Sequence, residues 1–158
     1  MKVYSPKKLF PTFIAAMLLG LTLPIHSVMA QTTALSNLYV CKKYSFTYQL
    51  PASWKKDYTV KDLPKNVDGF TGVAFYEKKY NYPLAEIVRI PVSVWADYED
   101  SLYLKLGEKN GYVYAALMPS ETLFVKNSKG QYIEVKSVSA MLNDTLHSFQ
   151  NKEFMFIN

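Results

Sequence analysis

The chain has 158 residues, with 18 Lys+Arg against 13 Asp+Glu, one cysteine, 49% hydrophobic and 15% aromatic content. That apolar share offsets the ordering entropy of one globular domain, which excludes intrinsic disorder and leaves no length for a second domain. The net charge of +5 belongs largely to residues 1–30, which hold three lysines and no acid, so the remaining 128 residues carry only +2; that is too little, and too scattered, for a nucleic-acid binder, whose Lys/Arg side chains gather on one face.

Lys2, Lys7 and Lys8 give a basic start, an uncharged apolar stretch runs from Thr12 to Leu23, and Ser27-Val28-Met29-Ala30 ends in a small residue. These parts in this order form a secretory signal peptide cut between Ala30 and Gln31. The apolar stretch of about twelve residues falls short of the roughly 20 needed to span a bilayer. Export with release is therefore expected, to the periplasm or the medium, with no stable membrane insertion after cleavage. Residues 31–36 read as a flexible polar lead-in and residues 37–158 as a single domain. A lone cysteine allows no internal disulfide, so the core alone must hold that domain. Cys41 reads as a small, partly buried strand residue, with a disulfide between two copies as the alternative.

Tyr44, Phe46, Tyr48 and Leu50 alternate with polar neighbours, the period-2 signature of a strand with one wet face, and Pro51 stops it. Lys55 to Val60, after Trp54, is a second strand, and Leu63 to Phe70 is a turn-rich connection with Pro64, Asn66, Asp68 and Gly69. Thr71–Tyr80 and Leu84–Trp95 form a hairpin about Lys79–Pro83, with Val88, Ile90, Val92 and Val94 on one face. Pro91 has no N–H to give a ladder, so this arm is expected at an edge or bulged.

Asp97 to Gly111 admits two readings. Asp97 as N-cap, acids in the first turn, and Tyr98, Leu102 and Leu106 four apart favour a short helix ending near Gly107. Alternation of Leu102, Leu104 and Leu106, with Asn110-Gly111 following, favours a hairpin; the helix is preferred. Tyr112–Met118 is apolar on both faces and therefore a central strand. Leu123–Val125 is a short strand. In Gln131–Phe149 the spacing of Val138, Met141, Leu142, Leu146 and Phe149, with Thr145 between them, is a helical stripe. Phe154–Ile157 is too apolar to be left in water and docks as a last strand. The fold class is α+β, an antiparallel sheet packed by helices.

Catalytic constellations are sparse. Ser53-Trp-Lys-Lys56 has the spacing of a serine–lysine pair, but Pro51 puts the serine in a turn and no glycine-flanked serine elbow occurs. One cysteine and one histidine beyond the leader do not make a metal site, and Asp97-Tyr-Glu-Asp100 lacks the glycine and distal glutamate of a calcium loop. No phosphate-binding glycine loop is present, and no cofactor is expected. Tyrosine is what stands out: Tyr76, Tyr80 and Tyr82 bracket Glu77-Lys78-Lys79 at the hairpin loop. A large ring with a polar tip, interleaved with ammonium groups, suits recognition of a protein or a cell-envelope polysaccharide.

The run Phe46-x-x-x-Leu50-Pro51-x-x-Trp54, the hairpin-like middle and the apolar helix before a short tail resemble the PsbP-like family, small α/β/α sandwiches named after an extrinsic photosystem II protein and recurrent among exported bacterial proteins. The resemblance spans most of residues 37–158 and implies an accessory or binding role without a shared active site. The expectation is thus an exported, non-enzymatic accessory or binding protein acting through Tyr76, Lys78, Lys79, Tyr80 and Tyr82. The alternative is a small secreted hydrolase or enzyme inhibitor using His147 with Asp144 or Glu134.

Overall fold

The computed structural model describes residues 37–158, so the leader, the cut between Ala30 and Gln31 and the lead-in at 31–36 lie outside the described residues. Strands dominate: β1 (Leu38–Cys41), β2 (Phe46–Gln49), β3 (Tyr58–Leu63), β4 (Thr71–Glu77), β5 (Tyr82–Pro91), β6 (Leu104–Lys109), β7 (Tyr112–Leu117), β8 (Phe124–Lys126), β9 (Tyr132–Glu134) and β10 (Phe154–Phe156). Helix is confined to a single turn, α1 (Val92–Trp95), and to α2 (Lys136–Gln150), apart from two three-residue 3-10 turns. All strand pairs are antiparallel, in a five-stranded sheet ordered β3-β4-β5-β7-β6, a small sheet ordered β1-β2-β10, and a β8-β9 ribbon.

This corrects the expected α+β fold and the α/β/α sandwich implied by the PsbP-like resemblance. The protein is β-rich, and a second sheet supplies much of the cover that helices were expected to give. The reason lies mainly in residues 97–111. Asp97–Ser101 makes only turns, and Leu104–Lys109 then pairs with β7 through Asn110-Gly111, whose φ angles of 54° and 76° are those of a tight hairpin turn. Gly107, expected to end a helix, instead lets a strand approach the C-terminal aromatics: a Cβ there would lie 2.8 Å from the ring of Phe156.

A second correction concerns Pro91. The strand that carries it is interior, between β4 and β7, and Pro91 is simply its last residue, opposite Tyr112. Val92–Trp95 then turns away as α1, so Val92 and Val94 do not continue the face of Val88 and Ile90. The irregularity in β5 lies at its other end, where Leu84 is the extra residue between Pro83, opposite Tyr76, and Ala85, opposite Phe75.

One face of the five-stranded sheet contributes Val73, Phe75, Ala85, Ile87, Tyr114 and Ala116 to a core completed by Phe46 and Tyr48 of β2, Trp54, Phe154 and the stripe Val138, Met141, Leu142 and Phe149 of α2. The alternation holds from Phe46, though Tyr44 falls in a turn before β2, and the helical stripe holds except at Leu146, which is exposed; Phe46, Tyr48, Val138 and Thr145 are fully buried. Beneath α2 the buried polar tips of Trp54 and Tyr48 are matched, whereas Arg89 Nε, elsewhere on the face, has no hydrogen bond among the described residues. Trp54 Nε1 donates to Thr145 Oγ1 at 3.0 Å, and Thr145 donates to the Met141 carbonyl one turn earlier at 2.6 Å. Ser148 donates to the Thr145 carbonyl, leaving its oxygen to accept from Tyr48 at 2.5 Å. Burial pushes the Tyr48 hydroxyl well above the usual tyrosine range, so it stays a donor.

The opposite face is thinner. Val88, Ile90, Val113 and Ala115 are covered by Phe70, Trp95 and the flanking Tyr98 and Tyr103, all from loops or from α1.

Candidate functional site

The chain carries lysine doublets at 42–43, 55–56 and 78–79. Lys43 is neutralised by Asp62 at 3.0 Å. The other two doublets, far apart in sequence, are brought to one end of the five-stranded sheet by the β3–β4 ladder, which sets Tyr58 opposite Glu77 and ends in a bond from Lys78 N–H to the Asp57 carbonyl at 2.9 Å. Trp54 roots the 52–57 turn in the core, and Lys55 takes a positive φ of 46° to carry the chain into β3. All four lysines are exposed, and none is ion-paired among the described residues.

The hairpin turn that presents Lys78 and Lys79 is held from inside. Glu77 is nearly buried and uses its carboxylate on the turn itself, accepting the Lys79 N–H at 3.0 Å and the Tyr80 N–H at 2.6 Å. Asn81 closes the turn in the left-handed region, φ 51°, and accepts from Lys61 Nζ at 2.8 Å. The Lys61 ammonium also sits 4.2 Å from the centre of the Tyr76 ring, and that of Lys79 4.8 Å from Tyr80. The Tyr80 hydroxyl and ring raise the Lys79 ammonium above its ordinary range, so it remains charged at neutral pH.

The five expected residues therefore do not act as one set. Lys78, Lys79 and Tyr80 form the exposed turn, and Tyr76 flanks it under Lys61. Tyr82 leaves the group: it packs against the main core and donates its hydroxyl to the Glu121 carbonyl at 2.6 Å. Lys55, Lys56 and Lys61 join it. The signal for the first two was visible as a doublet, but only the β3–β4 ladder shows that two doublets share one sheet end. Each doublet lines its own shallow cleft, the first formed by Lys55, Lys56 and the Tyr58–Val60 edge of β3, the second by Asp57, Glu77, Lys78, Lys79, Tyr80 and Ser137. β3 is an outer strand, so its free backbone groups line the first cleft.

The residues of the hydrolase alternative are not assembled. His147 and Asp144 are exposed on α2, while Glu134 on β9 is engaged by Lys136 and by Ser139 Oγ at 2.5 Å, which together hold its carboxyl below the usual range. No hydrogen bond or ion pair joins the three among the described residues, and the cleft lined by Glu134, Ser139 and Asn143 is not lined by His147. Ser53 Oγ is buried without a partner, so it is not hydrogen-bonded to Lys56. Cys41 is a free thiol covered by the main core. Among the described residues no three metal-ligating side chains converge, and no helix is long and apolar enough to cross a membrane. Comparison with known protein families, with curated proteins and with solved structures finds no match in any of the three.

Proposed function

We propose that this is an exported, non-enzymatic binding protein whose lysine- and tyrosine-rich sheet end docks an acidic, extended segment of a protein partner. The observation that carries the reading is the placement of Lys55-Lys56 and Lys78-Lys79 at one sheet end, beside the Asp57–Lys78 bond, with none of the four ammonium groups ion-paired among the described residues. A protein is favoured over a polysaccharide because sugar rings stack on open aromatic faces, and here Tyr76 and Tyr80 each carry an ammonium on the ring. The unpaired edge of β3 beside Lys55 and Lys56 can pair with an incoming strand, backbone to backbone, while the lysines read its acidic side chains.

The test is fluorescence anisotropy with a labelled Asp/Glu-rich peptide, alongside its Asn/Gln counterpart and an acidic polysaccharide competitor. Expected is salt-sensitive binding of the acidic peptide that is lost when Lys55, Lys56, Lys78 and Lys79 are all changed to serine. Undiminished binding by that variant removes the site from consideration, and stronger competition by the polysaccharide than by unlabelled peptide reassigns the partner class. N-terminal sequencing of the exported protein tests the rest of the reading, which requires Gln31 as the first residue.

A further inference from the structure

On the thin face of the five-stranded sheet, Lys61, Ala74, Glu86 and Leu117 stand side by side in one cross-strand row. Glu86 is half-buried. It lines a cavity of about 160 Å³ together with Leu63, Phe70, Val88 and Tyr103, and with Asn66 and Thr71 as further polar groups. Within the row Lys61 is the cation that could neutralise Glu86, but its ammonium is turned to Asn81 and Tyr76. No hydrogen bond or ion pair reaches the Glu86 carboxylate among the described residues. Phe70 and Tyr103 meet at 6.3 Å with their planes 78° apart, so ring surface faces more than one direction around the same corner.

We propose that the cavity beside Glu86 is a binding site for a small organic ammonium ion, with the carboxylate neutralising the charge and the rings of Phe70 and Tyr103 enclosing the attached carbon groups. A carboxylate repels anions, and a neutral apolar guest would deepen its desolvation without giving it a partner. A bare metal ion needs several oxygen, nitrogen or sulfur ligands, and no three such side chains converge among the described residues. An alkylammonium answers both halves of the lining at once, through a charge-assisted hydrogen bond on one side and cation–π and apolar contact on the other. Desolvation already raises the Glu86 carboxyl above its ordinary range, and a bound cation would relieve that burden. The site lies on a different set of residues from the lysine-rich end and stands independently of it.

The probe is n-butylammonium, followed by NMR shifts of the Phe70, Glu86 and Tyr103 amides in the intact chain, with n-butanol as the neutral molecule of the same shape. Butylammonium should bind about tenfold more tightly than butanol, and Glu86→Gln should weaken it by a similar factor without lowering the melting temperature. Equal shifts from butanol and butylammonium, or full affinity in Glu86→Gln, overturn the proposal; the comparison of the two probes on the unaltered protein decides it even if the variant misfolds. Nα-acetyl-lysinamide distinguishes the source of the amine: tighter binding than butylammonium points to a lysine of a partner, weaker binding to a free amine.

Discussion

The two faces of the five-stranded sheet are built to different standards. The face under β2 and α2 buries Trp54, Tyr48 and Phe75 completely and gives the polar tips of Trp54 and Tyr48 partners on the helix, while Arg89 Nε on the same face has none among the described residues. The face under α1 and the loops leaves Trp95 Nε1 buried with no hydrogen bond and Glu86 unpaired among the described residues, and holds an open cavity. Sealing one face specifies the fold, because an unsatisfied polar group at its centre would cost the full desolvation penalty. The looser face is held by short segments that need satisfy fewer constraints, and there an unpaired carboxylate opens onto a cavity that a ligand can fill.

Substitutions can break or sharpen this contrast. The largest effect is expected from Trp54→Ala, which removes a fully buried ring from contact with Tyr48, Phe75 and Tyr58 and should cost ~3–5 kcal/mol in urea unfolding. Trp-to-Phe exchange then separates the faces. At position 54 it strands the Thr145 hydroxyl and should cost about 1–3 kcal/mol, whereas at position 95 it deletes a donor that has no partner and should cost less than that. Equal losses would erase the distinction. Tyr48→Phe, which leaves Ser148 Oγ without its donor, should cost about 1 kcal/mol by the same measurement.

Glu86→Gln gives a signed test on the loose face. Its carboxyl is raised above the ordinary 4.5 by desolvation, so the protonated form favours folding and that contribution is lost as pH rises through the raised value. At neutral pH the variant should be at least as stable as the parent, with the difference closing below the ordinary value; a variant less stable at pH 7 contradicts the assignment. The smallest change is expected from the four lysine-to-serine substitutions, within about 0.5 kcal/mol of the parent, since their side chains touch little but water.

Much of the sealed face is legible in the sequence because it obeys strict periods: Phe46, Tyr48 and Leu50 alternate, and Val138, Met141, Leu142, Thr145 and Phe149 recur at helical spacing. What that pattern does not reveal is that Thr145 and Ser148 receive Trp54 and Tyr48, since long-range polar pairing leaves no local signature. The 97–111 segment is ambiguous in the sequence for a physical reason. Leu102 and Leu106 fit both periods, and the deciding fact, the fit of Gly107 against Phe156, joins residues nearly fifty positions apart. The lysine doublets are plain to see, yet their placement at one sheet end depends on the β3–β4 ladder. Glu86 gives no hint of its surroundings, because Lys61 approaches it in register and then points elsewhere.

The small sheet places β2 between β1, its near neighbour in the chain, and β10, which pairs Phe154 with Tyr48. Half of the ladder that seals the aromatic centre is therefore supplied by a strand more than a hundred residues further along the chain. The β1–β2 ladder can zip early as a local hairpin, whereas β10 must close a long loop to reach Tyr48, so the aromatic centre is sealed by one of the slower contacts to form.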